Sequence, residues 1–468
     1  MPTPIATPAI YQNPFMAPND FSEVHFNAYQ TDTCSVKGPA NAAYQSVQQR
    51  LIQPPGIAAT IAFNAKGQLV TIRIGISATG ESGASDPTIL LLEPGSLETI
   101  AKCTLPPRQE TSGLSFAGGY FYLDQAGNVV CVTGNQQIQI YSTDNNTIKL
   151  NQSYDLALAL NNIDDALNSV LPDSAGNYWF ISQAGIVGYV DASNQQILSC
   201  SVQGAVGADA AEKISKSFAS DGNDGVYVVT DYALYRYQAS TNGPQNVWRT
   251  TYDRGTETKS GQNQQGSGTT PTCFDDFEGN QFVAITDNAT QMHVNVYRRE
   301  SGKLAAQQAV FIEYPEQNSC ENSLIALNHS IIVENNFGNS DVKSTIGPLT
   351  TTPGINRVDF DPATGESQVV WANNSISVPS VVSQLSSGDG LLYTYAKDAD
   401  GWYWAALDFE TGQLFKRSAT IEFLKGGIVG ETLANNYYAG LSIGPDGNAY
   451  LSVLGGFVIW QGLSSPKP

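Results

Sequence analysis

Along this chain apolar residues come in short runs with a period of two, cut by polar turns rich in Asp, Asn, Gly and Ser. The pattern predicts strands and hairpins rather than helices. The turns also repeat. Asp-x-x-Gly-Asn followed by apolar residues occurs as "DQAGNVV" (124–130), "DSAGNYW" (173–179) and "DFEGNQF" (276–282), with "PDGNAYL" (445–451) close to it. "NAKGQLV" (64–70) and "NDGVYVV" (223–229) are looser copies. The physics is a tight turn: Asp caps it, Gly supplies positive φ, and an alternating strand follows. A second hairpin turn trails each first one, in "VDASNQQIL" (190–198), "FDPATGESQVV" (360–370) and "LDFETGQLF" (407–415).

Two hairpin signals per repeat mean four strands per repeat, and such units of about 40–50 residues are blades of a β-propeller. The turns divide the chain into units near 57–105, 112–155, 166–203, 214–252, 268–312, 320–375, 378–421 and 436–462. The expectation is an all-β, eight-bladed propeller, with seven blades as the alternative. The last unit lacks a strand, so an N-terminal strand is expected to close the ring, from "SEVHFNAYQTDTCSV" (22–36). Residues 1–50 are read as an arm carrying that strand and 51–468 as the propeller.

"LDFETGQLF" resembles the repeat of the quinoprotein alcohol dehydrogenase-like propellers, an Ala-x-Asp-x-x-Thr-Gly stretch ending in a docking Trp. Ala406, Asp408, Thr411 and Gly412 match, and Phe415 stands one residue before the Trp position. Trp371 and Trp248 occupy similar places in other units at shifted spacing. "GSGTTPT", "AITDN", "IIVENN" and the stretch 435–456 also resemble uncharacterised bacterial propellers, mostly extracytoplasmic. The resemblance implies this fold and export. It also raises pyrroloquinoline quinone (PQQ), which the dehydrogenases of the class hold under an adjacent Cys-Cys disulfide, with a calcium on Glu, Asn and Asp and an Asp as base. This chain has no Cys-Cys pair. PQQ is therefore not expected, and a calcium ion stays open.

The net charge of −20 argues against nucleic acid, which needs clustered Lys and Arg. No apolar run approaches the ~18 residues of a membrane span. The six cysteines, Cys34, Cys103, Cys131, Cys200, Cys273 and Cys320, include no C-x-x-C pair, so structural zinc is not expected. Their even number suits disulfides outside the cytosol, with buried thiols as the alternative. Residues 1–18 carry no basic and apolar leader. The location expected is extracellular or periplasmic, with the signal peptide absent from this sequence.

Propeller ligand sites lie where first strands begin and second strands end, at one channel mouth. First-strand starts offer Thr269, Thr270, Glu321, Asn322, Tyr437 and Tyr438; second-strand ends offer Asp231, Asp287, Glu334, Asn335 and Asn336. Asp at a strand end also caps turns, which is the competing explanation for each acid singly. In "CENSLIALNHSIIVENN" (320–336) a two-residue turn at Asn328-His329 sets Ser323 against Glu334 and Glu321 against Asn336. Glu321 and Glu334 then become diagonal neighbours, an acid–base arrangement in principle. His329 falls at the far end of that hairpin. His25 is read into the closing segment and His293 into a third strand, and no Ser-His-Asp set is readable. The polar insertion 252–270 reads as a lid or a solvated connector, with Arg254 as a cation for an anionic ligand.

The function expected is binding of a carbohydrate or other small polar ligand at an acidic mouth, with carboxylate chemistry on it. Whether the chain is an enzyme stays open. The alternatives are a structural or protein-binding propeller, self-association included, and a PQQ dehydrogenase.

Overall fold

A computed structural model describes residues 2–52, 55–75, 86–108, 119–202, 212–421 and 432–465. Eight antiparallel sheets follow one another as the blades of a β-propeller, each with four blade strands. Their first strands are Ile61–Phe63, Phe121–Leu123, Leu167–Pro172, Ala219–Ser220, Thr272–Asp275, Ile325–Leu327, Gln384–Ser386 and Leu441–Ile443. These are buried apart from Asp275, whereas the fourth strands are half exposed. The blades match the eight units drawn from the turns.

The turns form as their residues dictate. Asp124 Oδ1 accepts the amides of Ala126 and Asn128 at 2.9 Å, and Gly127 has φ 80°. Asp173 and Gly176 repeat the arrangement, with Trp179 Nε1 also donating to Asp173 at 2.8 Å. Blades then dock through tryptophan. Trp371 of the sixth blade donates Nε1–H to the Phe409 carbonyl at 2.8 Å, and a Cβ on Gly412 would lie 2.4 Å from its ring. Trp248 of the fourth blade meets Arg299 and Gly302 of the fifth in the same way. The shifted Trp positions therefore serve the docking that the repeat implies.

An N-terminal strand does close the ring, but not the one expected. Tyr44–Leu51 pairs antiparallel with Gly456–Leu463 and supplies the outer strand of the eighth blade. Residues 22–36 instead enter the central channel. The carbonyls of Phe21, Ser22, Ala28, Tyr29, Thr31 and Asp32 accept amides of Phe63, Leu123, Ser220, Cys273, Ala326 and Leu385, one from each of six blades, at 2.8–3.0 Å. Inner strands present unpaired amides to the channel, and a segment rich in free carbonyls satisfies them. Phe26, Gln30 and Asp32 take positive φ, held by these contacts.

The disulfide expectation is overturned: all six cysteines are free. Cys34, Cys131, Cys273 and Cys320 are buried, and each of the six stands on a different blade or its leading segment. Among the described residues no helix is long and apolar enough to cross a membrane.

Candidate functional site: an enclosed acidic mouth

The hairpin of the sixth blade places the site. Ile325 pairs Ile332 and Leu327 pairs Ser330, across a turn with Asn328 at φ 52°. This is the register the sequence suggested. It carries Glu321 beside Asn336, whose Oδ1 accepts the Glu321 amide at 2.8 Å. The two carboxylates then turn to different neighbours. Glu321 pairs with Lys216 of the segment leading to the fourth blade, and its Oε1 also accepts the Asn263 amide at 3.1 Å. Glu334 takes the Ser383 hydroxyl of the seventh blade and, at 3.3 Å, the Asn322 amide group.

Both side chains are enclosed, and burial raises the pKa of both. Burial pushes the Glu334 carboxyl up to about 8, against weaker opposition from Ser383 and Asn322, so it is protonated at neutral pH. Ser383 also bonds Thr394 at 2.7 Å. A hydroxyl has one proton, so a neutral Glu334 that donates to Ser383 lets Ser383 donate onward. Burial raises Glu321 as well, while the Lys216 ammonium acts to keep it ionised.

The roof consists of two insertions. Residues 252–270 cross the mouth and reach blade eight, where Tyr438 donates its hydroxyl to the Gly261 carbonyl at 2.8 Å. In the same loop Lys259 donates to Asn318 at 2.8 Å, and Ser260 bonds Ser340 at 2.8 Å, tying it to the second insertion, 335–354. Tyr437 and Tyr438 have φ 40° and 64°, unusual for bulky residues and worth about 1–3 kcal/mol of strain each. Tyr438 and Tyr120 keep part of their surface exposed, and both feel the Glu321 charge. Among the described residues, Glu321 Oε2, Asn322 Oδ1 and Asn339 Oδ1 are buried acceptors without a partner.

The other expected residues have partners within the fold. Asn335 accepts the Ser319 and Phe337 amides at 3.1 Å. Asn336 also donates to the Val378 carbonyl. Thr269 bonds Ser267 and accepts the Thr286 amide, and Thr270 is buried with its carbonyl on Thr272. Asp287 caps His293, taking its amide and Nδ1 at 2.8 and 2.9 Å. Asp231 takes the Lys213 amide and pairs with Arg254, which stacks 3.8 Å over the Tyr232 ring. Arg254 is thus engaged by its own neighbours. Lys216 was missed because nothing local in "EKISKSF" marks one Lys as inward-facing.

The residues do not fit a bound quinone. No two cysteines are adjacent, and residues 20–36 occupy the channel. Nor do they favour calcium at the mouth: Glu321 Oε2 and Asn322 Oδ1 are suitable oxygens, but the Lys216 ammonium already sits on Glu321 and repels a second cation. Asp276, Glu278 and His329 bring ligand atoms within 4.8 Å of one another at the opposite end of the molecule, where Asp276 caps the turn to Asn280.

The blades and their closing strand define an eight-bladed β-propeller. Among solved structures, the chain is similar to a quinohemoprotein alcohol dehydrogenase from Comamonas testosteroni, at TM-score 0.60 and 12% identity, covering 97% of this chain and 82% of that one. It is similar to a europium-containing methanol dehydrogenase at TM-score 0.52 and 12% identity, covering 93% and 89%. At such identities the likeness is one of fold. An uncharacterized protein of Archaeoglobus fulgidus is 28% identical over 274 residues, 53% of this chain and 51% of that protein. The match thus spans about half the length of that relative. No family model matches the chain.

Proposed function

We propose that this chain is an exported propeller that binds a small polar ligand, a carbohydrate in the first instance, at the roofed mouth. One observation carries the reading. Glu321 Oε2 is buried without a partner, beside Tyr438 and Tyr120, whose surfaces stay partly open. An unpartnered buried acceptor is costly, and a ligand hydroxyl would satisfy it. Aromatic faces beside a carboxylate suit a polyol, which offers C–H surfaces and hydroxyls together.

In this reading Glu321 is the ionised acceptor held by Lys216, and Glu334 the neutral acid held by Ser383. Two carboxyls with different protonation could also divide acid and base roles. Calorimetry with a panel of neutral sugars and sugar acids, on wild type and Glu321→Gln, tests the placement. A sugar that binds wild type at least about ten-fold more tightly than the variant supports it, the scale of one charge-assisted hydrogen bond. Equal binding to both proteins, or none across the panel, sinks it.

A further inference from the structure

The channel assembles a second group of side chains, from segments 298 residues apart. Both carboxylate oxygens of Asp32 lie 3.0 Å from His25 Nδ1. Across the ring, His25 Nε2 lies 3.2 Å from Ser323 Oγ. Asp32 and His25 are 0% and 2% exposed, and Ser323, which directly follows Glu321 and Asn322, is the most open of the three at 9%. A carboxylate on Nδ1 holds the proton there and leaves Nε2 as acceptor for a hydroxyl proton. Nucleophile, base and orienting acid thus stand in the relation that activates a serine, whatever their order in the chain.

We propose that Ser323, His25 and Asp32 form a nucleophilic centre beneath the roofed mouth, which hydrolyses a small carboxylic ester. The inference rests on the mouth being a ligand site, and the polar surroundings favour an ester of a polyhydroxylated alcohol. Ser323 Oγ bonds to the ester carbonyl carbon while its proton passes to His25 Nε2. The tetrahedral adduct collapses, the bond to the leaving alkoxide breaks, and His25 returns the proton to it. Water, activated by the same nitrogen, then attacks the acyl-serine and releases the carboxylic acid and free Ser323. The strand ladder begins at Ile325, and in this proposal the amides of Ser323 and Leu324, just ahead of it, would meet the oxyanion.

The base has titratable neighbours from two elements. Glu23 and Asp32 lie on its own segment, Glu23 accepting the His25 amide at 3.0 Å. Glu334 faces Asp32 from the sixth blade. Burial pulls the His25 pKa down, but Asp32 and then Glu23 outweigh it and the net shift is upward. The imidazole is a free base only above that raised value, so reactivity should rise with pH.

Fluorophosphonate labelling of the full chain, read by intact mass and peptide mapping across about pH 6–9, tests the proposal. The expected result is one adduct on Ser323, faster as pH rises, absent in Ser323→Ala and slowed by at least about a hundred-fold in His25→Gln. An unmodified wild type overturns the proposal, and so does labelling that persists in Ser323→Ala. A hydroxyl that merely pins the channel segment would leave the serine inert. Should His25→Gln fail to fold, Ser323→Ala still decides, since it removes only a hydroxyl. Sugar binding without labelling would defeat this inference alone, and labelling without sugar binding would defeat the ligand reading alone.

Discussion

Glu321 and Lys216 form an ion pair with side chains only 2% and 7% exposed, so neither charge is well solvated. Lys216→Met should destabilise the protein by about 3–5 kcal/mol, because it strands a buried carboxylate. The Lys216→Met, Glu321→Gln double variant should recover much of that loss, and urea unfolding measures both. Glu334 makes a pH prediction. Its folded pKa, about 8, is raised above the ordinary carboxylate value of 4.5, so its contribution is fully present below the unfolded value and lost as pH rises through the folded one. Glu23, raised by burial to about 7, acts in the same direction. Melting temperature should therefore fall from about pH 5 to about pH 9, and fall less in Glu334→Gln. At this scale the sequence was half legible. The hairpin register put Glu321 beside Asn336, because strand pairing is set by neighbours a few residues away. The Lys216 and His25 contacts arise only after the ring has closed, and no local pattern encodes them.

Blade elements were the most readable level. Asp-x-x-Gly-Asn writes its own turn, since the Asp carboxylate, the Gly φ and the following alternation are all local. The docking of blades is readable to the extent that Thr-Gly and Trp recur. Gly412→Ala tests it: the added methyl meets the Trp371 ring at 2.4 Å and sits at φ 66°. A loss of at least about 1 kcal/mol is expected, a large effect for one methyl group, seen as a lower denaturation midpoint. The segment 22–36 reads as a strand by composition, yet it makes a looped insertion with left-handed residues. Its alternation is real, but the inner edges of five blades compete for its carbonyls and win. In the roof, Tyr438→Phe should cost about 1 kcal/mol or less and speed amide exchange in residues 255–266, because one hydroxyl bridges Gly261 and Asn339.

Across the whole molecule, closure joins Tyr44–Leu51 to Gly456–Leu463 over eight paired residues. Removing residues 1–51 exposes the edge of the eighth blade and empties the channel. The shortened protein should elute as oligomers in light scattering, since open edges recruit other chains. Overall architecture was legible because copies of one turn signal recur along the chain and reinforce each other. The candidate site was legible only in part: Glu321 and Glu334 stand out where one blade departs from the rest, but Lys216 and His25 reach that blade from distant segments.

The closing pair also sets a timetable. Residues 44–51 leave the ribosome early, and their partner is finished only when residue 463 has been made. Through most of synthesis this strand has no mate, and each finished blade presents a fresh edge to its surroundings. A chain whose two closing strands are made so far apart in time keeps open edges through most of its synthesis. Its yield in a heterologous host should depend on translation speed and chaperone supply more than on the stability of the finished ring.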